Sequence, residues 1–154
     1  MNARAFVLSV TMGLFAASAC FAGEAQMGTW KLNEAKSTIP ADATKNMTVV
    51  YTADGDSIKV VVDGMTAGGK PAHNEWKGKF DGKDYAVSGD PTADFRAYNK
   101  IDENTLELIV KKTGKTTSSG KIVVAADGKS RTLMMSGSDA AGKAVSTTMV
   151  YDKQ

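Results

Sequence analysis

The chain holds one cysteine, one histidine, three prolines and few aromatic residues, 7% of the total. The cysteine is Cys20, inside an apolar N-terminal run, so a chain cut beyond it has neither a disulfide nor thiol chemistry. A lone histidine, His73, with no cysteine beside it, does not make a zinc or haem ligand set. His73 also falls on the polar phase of its segment and reads as a solvated surface residue. No metal and no cofactor is therefore expected. Charge of one sign is nowhere concentrated: 19 basic residues against 17 acidic give a net charge of +2, too balanced for a nucleic-acid or anionic-membrane partner. Past the leader, no window keeps an i, i+3, i+4 apolar pattern beyond about two turns, which excludes a helical bundle. No serine sits in a G-x-S-x-G elbow, and Asp54, Asp56, Asp81 and Asp127 are better placed as turn residues than as acid–base pairs. No catalytic residue is assigned, and an isomerase or cyclase working in a dry chamber is the least supported reading.

What is present begins with a leader. Arg4 supplies a positive start, Ala5 to Ala19 carries no charge, and Cys20-Phe21-Ala22 ends in small residues suited to a cut after Ala22. Residues 1–22 are thus expected to be a signal peptide and 23–154 one domain, exported to the periplasm or beyond. The minority alternative is a lipid anchor on Cys20, because Ala17-Ser18-Ala19-Cys20 resembles a bacterial lipobox that lacks its usual branched residue at Ala17. Once the leader is removed, no apolar run is long enough to span a bilayer as a helix.

From Asn46 onward the apolar period is two, interrupted by glycine and aspartate pairs. Asp54-Gly55, Gly68-Gly69, Asp81-Gly82, Gly114, Asp127-Gly128 and Ala141-Gly142 each separate strand-like runs, since these residues reach the positive-φ backbone of tight reversals. Ala53-Asp54-Gly55-Asp56-Ser57 and Ala126-Asp127-Gly128-Lys129-Ser130 repeat one turn chemistry. About ten strands result, at 28–33, 46–53, 57–63, 70–80, 83–88, 93–101, 104–112, 116–125, 130–137 and 143–152. Strands joined only by short turns form a meander, and one this long closes to hide its edges. The expected fold is all-β, a single antiparallel meander barrel of about eight to ten strands. One helical turn has room before it, with Asn33 as cap and Ala41 to Thr44 as the turn, while Pro40 forbids anything longer.

Strand phase assigns the inside. Ile58, Val60 and Val62 share a face, as do Leu106, Leu108 and Val110. Asn74, Trp76, Gly78 and Phe80 oppose His73, Glu75, Lys77 and Lys79. Arg131, Leu133 and Met135, then Val145, Thr147, Met149 and Tyr151, complete the inward set. Met134 and Met135 point to opposite faces, so they cannot share one inward copper ion, and methionine here reads as flexible filling.

Two segments carry a family resemblance. Gly28-Thr29-Trp30-Lys31-Leu32 resembles the G-x-W first strand of the calycins, the group of lipocalins and fatty-acid-binding proteins. Thr147-Thr148-Met149-Val150-Tyr151-Asp152-Lys153 resembles the T-R-V-Y-E-K last strand of fatty-acid-binding proteins. The start also resembles small secreted bacterial lipocalin-like proteins, of unassigned activity, that open G-T-W-K-L-N-x-x-K-S. The resemblance implies a barrel with the tryptophan packed across its closed end. It departs from fatty-acid-binding proteins where their carboxylate-holding arginine is replaced by Met149, and where no helix-turn-helix lid fits between Leu32 and Met47.

The functional expectation is an exported lipocalin-like protein holding a small, mostly apolar or amphipathic molecule in the barrel. Trp76, Phe80, Phe95, Met135, Met149 and Tyr151 are the candidate lining, with Asn74 and Arg131 as polar anchors. Arg131 stands out because its phase is inward, and a buried arginine needs an anionic or hydrogen-bonding partner unless it stacks on Trp30 or snorkels to water. Arg96 is ambiguous in phase. The alternative is an envelope interaction module whose barrel is filled by Leu106, Ile122, Val124 and Leu133.

Overall fold

Alternation of apolar and polar side chains becomes ten antiparallel strands. The structure, a computed structural model, describes residues 23–138 and 141–154; the leader, Cys20 included, lies outside them. The strands are β1 (Gly28–Leu32), β2 (Lys45–Asp54), β3 (Ser57–Met65), β4 (Pro71–Gly78), β5 (Tyr85–Ser88), β6 (Phe95–Lys100), β7 (Thr105–Lys112), β8 (Lys115–Val124), β9 (Ser130–Ser138) and β10 (Ala144–Lys153). Each pairs with its neighbours in sequence, and β1 closes the barrel on β10 with Trp30 opposite Lys153 and Leu32 opposite Tyr151. Closure leaves no free edge, which is how a meander of this length avoids pairing with another chain. The seam is thinnest at β5, which holds β4 and β6 through two residue pairs each.

The two repeated reversals, Asp54 to Ser57 and Asp127 to Ser130, join β2 to β3 and β8 to β9 at one end of the barrel. Gly55 and Gly128 adopt φ of 64° and 69°, the left-handed backbone that the repeated Asp-Gly chemistry serves. The β7–β8 reversal is different, since Thr113 takes φ 49° ahead of Gly114.

Asn33 caps a helical turn, but a different one from that expected. Its side chain accepts from the Lys36 amide at 3.2 Å and starts a single 3-10 turn at Glu34–Lys36, while residues 41–43 only turn and bend. A cap reaches the amide three residues on, so the turn forms beside Asn33, not beyond Pro40. The chain then follows β10 through paired backbone hydrogen bonds between Thr38 and Thr148.

Apolar side chains take the inward face: Ile58, Val60, Val62, Leu106, Leu108, Ile122, Val124 and Met149 are all buried. Outside, Lys59–Glu75, Lys77–Asp54, Lys79–Asp56 and Lys111–Asp84 form ion pairs. That is the reverse of a membrane barrel, which turns an apolar band outward. Among the described residues, no helix is long and apolar enough to cross a membrane.

The end of the barrel bearing the Asp-Gly turns is packed solid. Trp30 is wholly buried, and its indole N–H donates to the Gln26 carbonyl at 2.8 Å. Gln26, in a 3-10 turn at Glu24–Gln26, is itself buried and donates to the Asn104 carbonyl at 3.2 Å. Beside them Trp76 stacks on Phe80 at 6.3 Å between centroids and meets Tyr98 edge-on at 4.6 Å and Tyr85 at 5.7 Å. Gly78 makes this cluster possible, because a Cβ there would lie 2.5 Å from the Tyr85 ring and 2.6 Å from the Trp76 ring. Burying each such large ring contributes on the order of 2 kcal/mol or more.

Candidate ligand cavity

Beyond the aromatic plug the lumen is open. The resulting cavity has a volume of about 760 Å³, within the range of small-molecule sites. Its walls come from the inward phases of β2, β7, β9 and β10: Val49, Leu108, Val110, Leu133, Met135, Val145 and Met149. Hydroxyl residues such as Thr117, Ser118, Ser136 and Ser138 stand towards the opposite end, together with Asp42 to Thr44 of the β1–β2 connection. Tyr51, Tyr98, Tyr151 and Arg131 border its deep end, against the plug.

Arg131 is 3% exposed, and it stands at the head of β9 opposite Tyr151 of β10. Its guanidinium carbon lies 4.8 Å from the centroid of Trp30, 4.7 Å from Tyr51 and 5.0 Å from Tyr151. Three ring faces hold the cation electrostatically. They do not satisfy its N–H groups, and Nε and Nη1 are buried without a hydrogen-bond partner. The Tyr151 hydroxyl donates to the Met149 sulfur at 3.2 Å, a weak acceptor. Burial pushes the Tyr151 and Tyr98 phenols up, Tyr98 further through Tyr51, so both remain neutral donors across the physiological range.

Arg96 resolves the ambiguity of β6. It points inward, donating to Asn74 Oδ1 at 2.9 Å and to Asp90 Oδ2 at 2.7 Å, with both charged side chains largely shielded from water. Burial alone would raise Asp90, but the Thr92 hydroxyl and amide, with Arg96, outweigh it and hold the carboxyl below the usual range. The network pins the 89–94 connection, whose Thr92 reaches the cavity. Lys112, which also borders the cavity, is paired with Asp94 at 2.6 Å.

The eight sequence-assigned residues therefore divide. Arg131, Met135, Met149 and Tyr151 border the cavity together. Trp76 and Phe80 are buried but belong to the aromatic plug, with the Trp76 indole donating to the Arg96 carbonyl at 3.1 Å. Asn74 is buried too, as the partner of Arg96 and not as a wall of the cavity. Phe95 lies on the outer face, 42% exposed, because inward Arg96 and Tyr98 set the phase of β6. Tyr51 and Tyr98 border the cavity as well, outside those eight. The period-two phase of β2, with Val49 and Tyr51 inward, carried the signal for the first. His73 is exposed on the outer face, bonded to Asp63 at 2.7 Å, and the Asp63 carboxylate raises its pKa.

No family model and no curated protein matches the sequence. Among solved structures, one described as "Structure of EF1p2_mFAP2b bound to DFHBI" is similar, with 12% identity over 86% of this chain and 97% of that one and a TM-score of 0.49. The closed ten-stranded antiparallel meander is itself calycin-like.

Proposed function

We propose that this barrel is an exported carrier or sensor that holds a small, mostly apolar molecule in its open half. The observation that carries the reading is the cavity of about 760 Å³, apolar along its walls and closed below by packed rings. A barrel with only a structural role gains stability by filling its lumen, since unfilled apolar space forfeits contacts on all sides. Here Leu106, Ile122 and Val124 are buried, yet Ile122 and Leu133 still face open space. Export is supported by Arg4, the uncharged run to Ala19 and the small-residue end at Ala22. The calycin resemblance at both ends of the chain supports a lipocalin-like role, while Met149 argues against the fatty-acid-binding-protein form of it.

Native mass spectrometry of the protein purified from its own host's envelope, followed by organic extraction, tests this directly. A reproducible extra mass that extracts as a lipid, isoprenoid or pigment is the expected result. Leu133→Trp, which places a ring in the cavity, should abolish that extra mass while leaving a cooperative thermal transition. A clean apo mass, with no change of tryptophan fluorescence across an apolar ligand panel, would replace the proposal with a non-catalytic interaction module.

A further inference from the structure

Among the described residues, three cations border the cavity: Arg96, Lys112 and Arg131. The first two are neutralised, Arg96 by Asp90 and Lys112 by Asp94. Among the described residues, no carboxylate lies in salt-bridge range of Arg131, the most deeply buried of the three. Burying a guanidinium without an anion is costly. The rings of Trp30, Tyr51 and Tyr151 offset part of that cost but accept no hydrogen bond in the guanidinium plane. Beside it, the Tyr151 hydroxyl donates only to a thioether. Among the described residues that line the deep end of the cavity, strong donors thus collect with no carboxylate beside them.

We infer that the ligand is an amphipathic anion, carboxylate or phosphate at its head, which enters head first and seats that head on Arg131. The head accepts from Nε and Nη1, and the Tyr151 hydroxyl turns to it from the Met149 sulfur. The apolar part of the molecule then runs past Leu133, Met135 and Val145. Its far end lies among the serine and threonine hydroxyls. This rests on the cavity being a binding site, as proposed above, and adds the ligand's charge and orientation. Opposite insertion leaves the head beside Lys112, whose charge Asp94 already answers, and buries an alkyl end against an uncompensated cation.

The test is displacement of the neutral fluorophore N-phenyl-1-naphthylamine from the purified protein at pH 8. The competitors are dodecanoate, dodecyl phosphate and dodecanol, each below its micellar concentration. The anions should compete about 10–100-fold better than the alcohol, the gain of hydrogen bonds to a charged group. Arg131→Met should erase that difference while still binding the neutral probe, and Arg131→Lys should keep part of it. The better of the two anions identifies the head. Equal competition by acid and alcohol in the wild-type protein overturns the inference, as does a preference that survives in Arg131→Met. If Arg131→Met does not fold, the acid-against-alcohol ratio in the wild-type protein decides alone. If neither probe nor competitor binds at all, the cavity reading itself falls, separately from the head-group assignment.

Discussion

Asp90→Asn isolates a single buried charge. The substitution keeps an oxygen for the Thr92 amide and hydroxyl, which donate to Asp90 Oδ1 at 2.8 and 2.6 Å. It leaves the Arg96 guanidinium, 10% exposed in its side chain, with Asn74 as its remaining side-chain acceptor. Removing one member of a fully buried pair costs about 3–5 kcal/mol. The residual exposure and the surviving Asn74 bond place the loss at the low end, about 3 kcal/mol. For a domain of this size that lowers Tm by about 10 °C. Differential scanning calorimetry and urea unfolding measure it, with Asp54→Asn as the control. Asp54 pairs with Lys77 on the surface, where both side chains are about half exposed, so the control should lose under about 1 kcal/mol.

Acid adds a second check on the same pair. The Asp90 carboxyl is held below its ordinary value in the fold, so its contribution is fully present above the unfolded carboxylate value of about 3.9. It is lost as pH falls through the folded value. The gap between wild type and Asp90→Asn should stay constant from neutral pH down to about 5 and shrink below about 4. Adding Arg96→Met should recover much of the loss, because no charge then remains unpaired. A loss under about 1 kcal/mol for Asp90→Asn, or a gap that does not narrow in acid, would refute the account of a buried, charge-neutralised pair.

Trp76→Ala should cost about 3–5 kcal/mol through the void it leaves in the aromatic plug, measured by urea unfolding. Lys77→Ala, on the opposite face, should cost under about 1 kcal/mol, and comparable losses at both positions would remove the phase assignment of β4. Thr113→Asn should raise stability by about 1 kcal/mol, read as a rise in Tm, because a β-branched residue at φ 49° is strained where asparagine is tolerated.

Sequence periodicity was enough for the number of strands, their order and most of the inward face. A strand has a period of two, and a chain that reverses only through short glycine turns has few ways to pair except with its neighbours. For the same reason Arg131, Met135, Met149 and Tyr151 were assigned inward from phase alone, and all four border the cavity. Phase says which side of the sheet a residue takes, not how far along the barrel it stands. That height separates Trp76 and Phe80, locked in the plug by Tyr85 and Tyr98, from Leu133 and Val145 beside open space. On β6 the pattern Phe95-Arg96-Ala97-Tyr98 mixes apolar residues on both phases, and local preference does not choose between them. Arg96 turns inward because Asn74 of β4 and Asp90 of the β5–β6 connection, separated in sequence, converge there to bond it. That Arg131 meets three rings and, among the described residues, no carboxylate is likewise a tertiary fact, since a cation's partners depend on which side chains the closed barrel brings within reach of it.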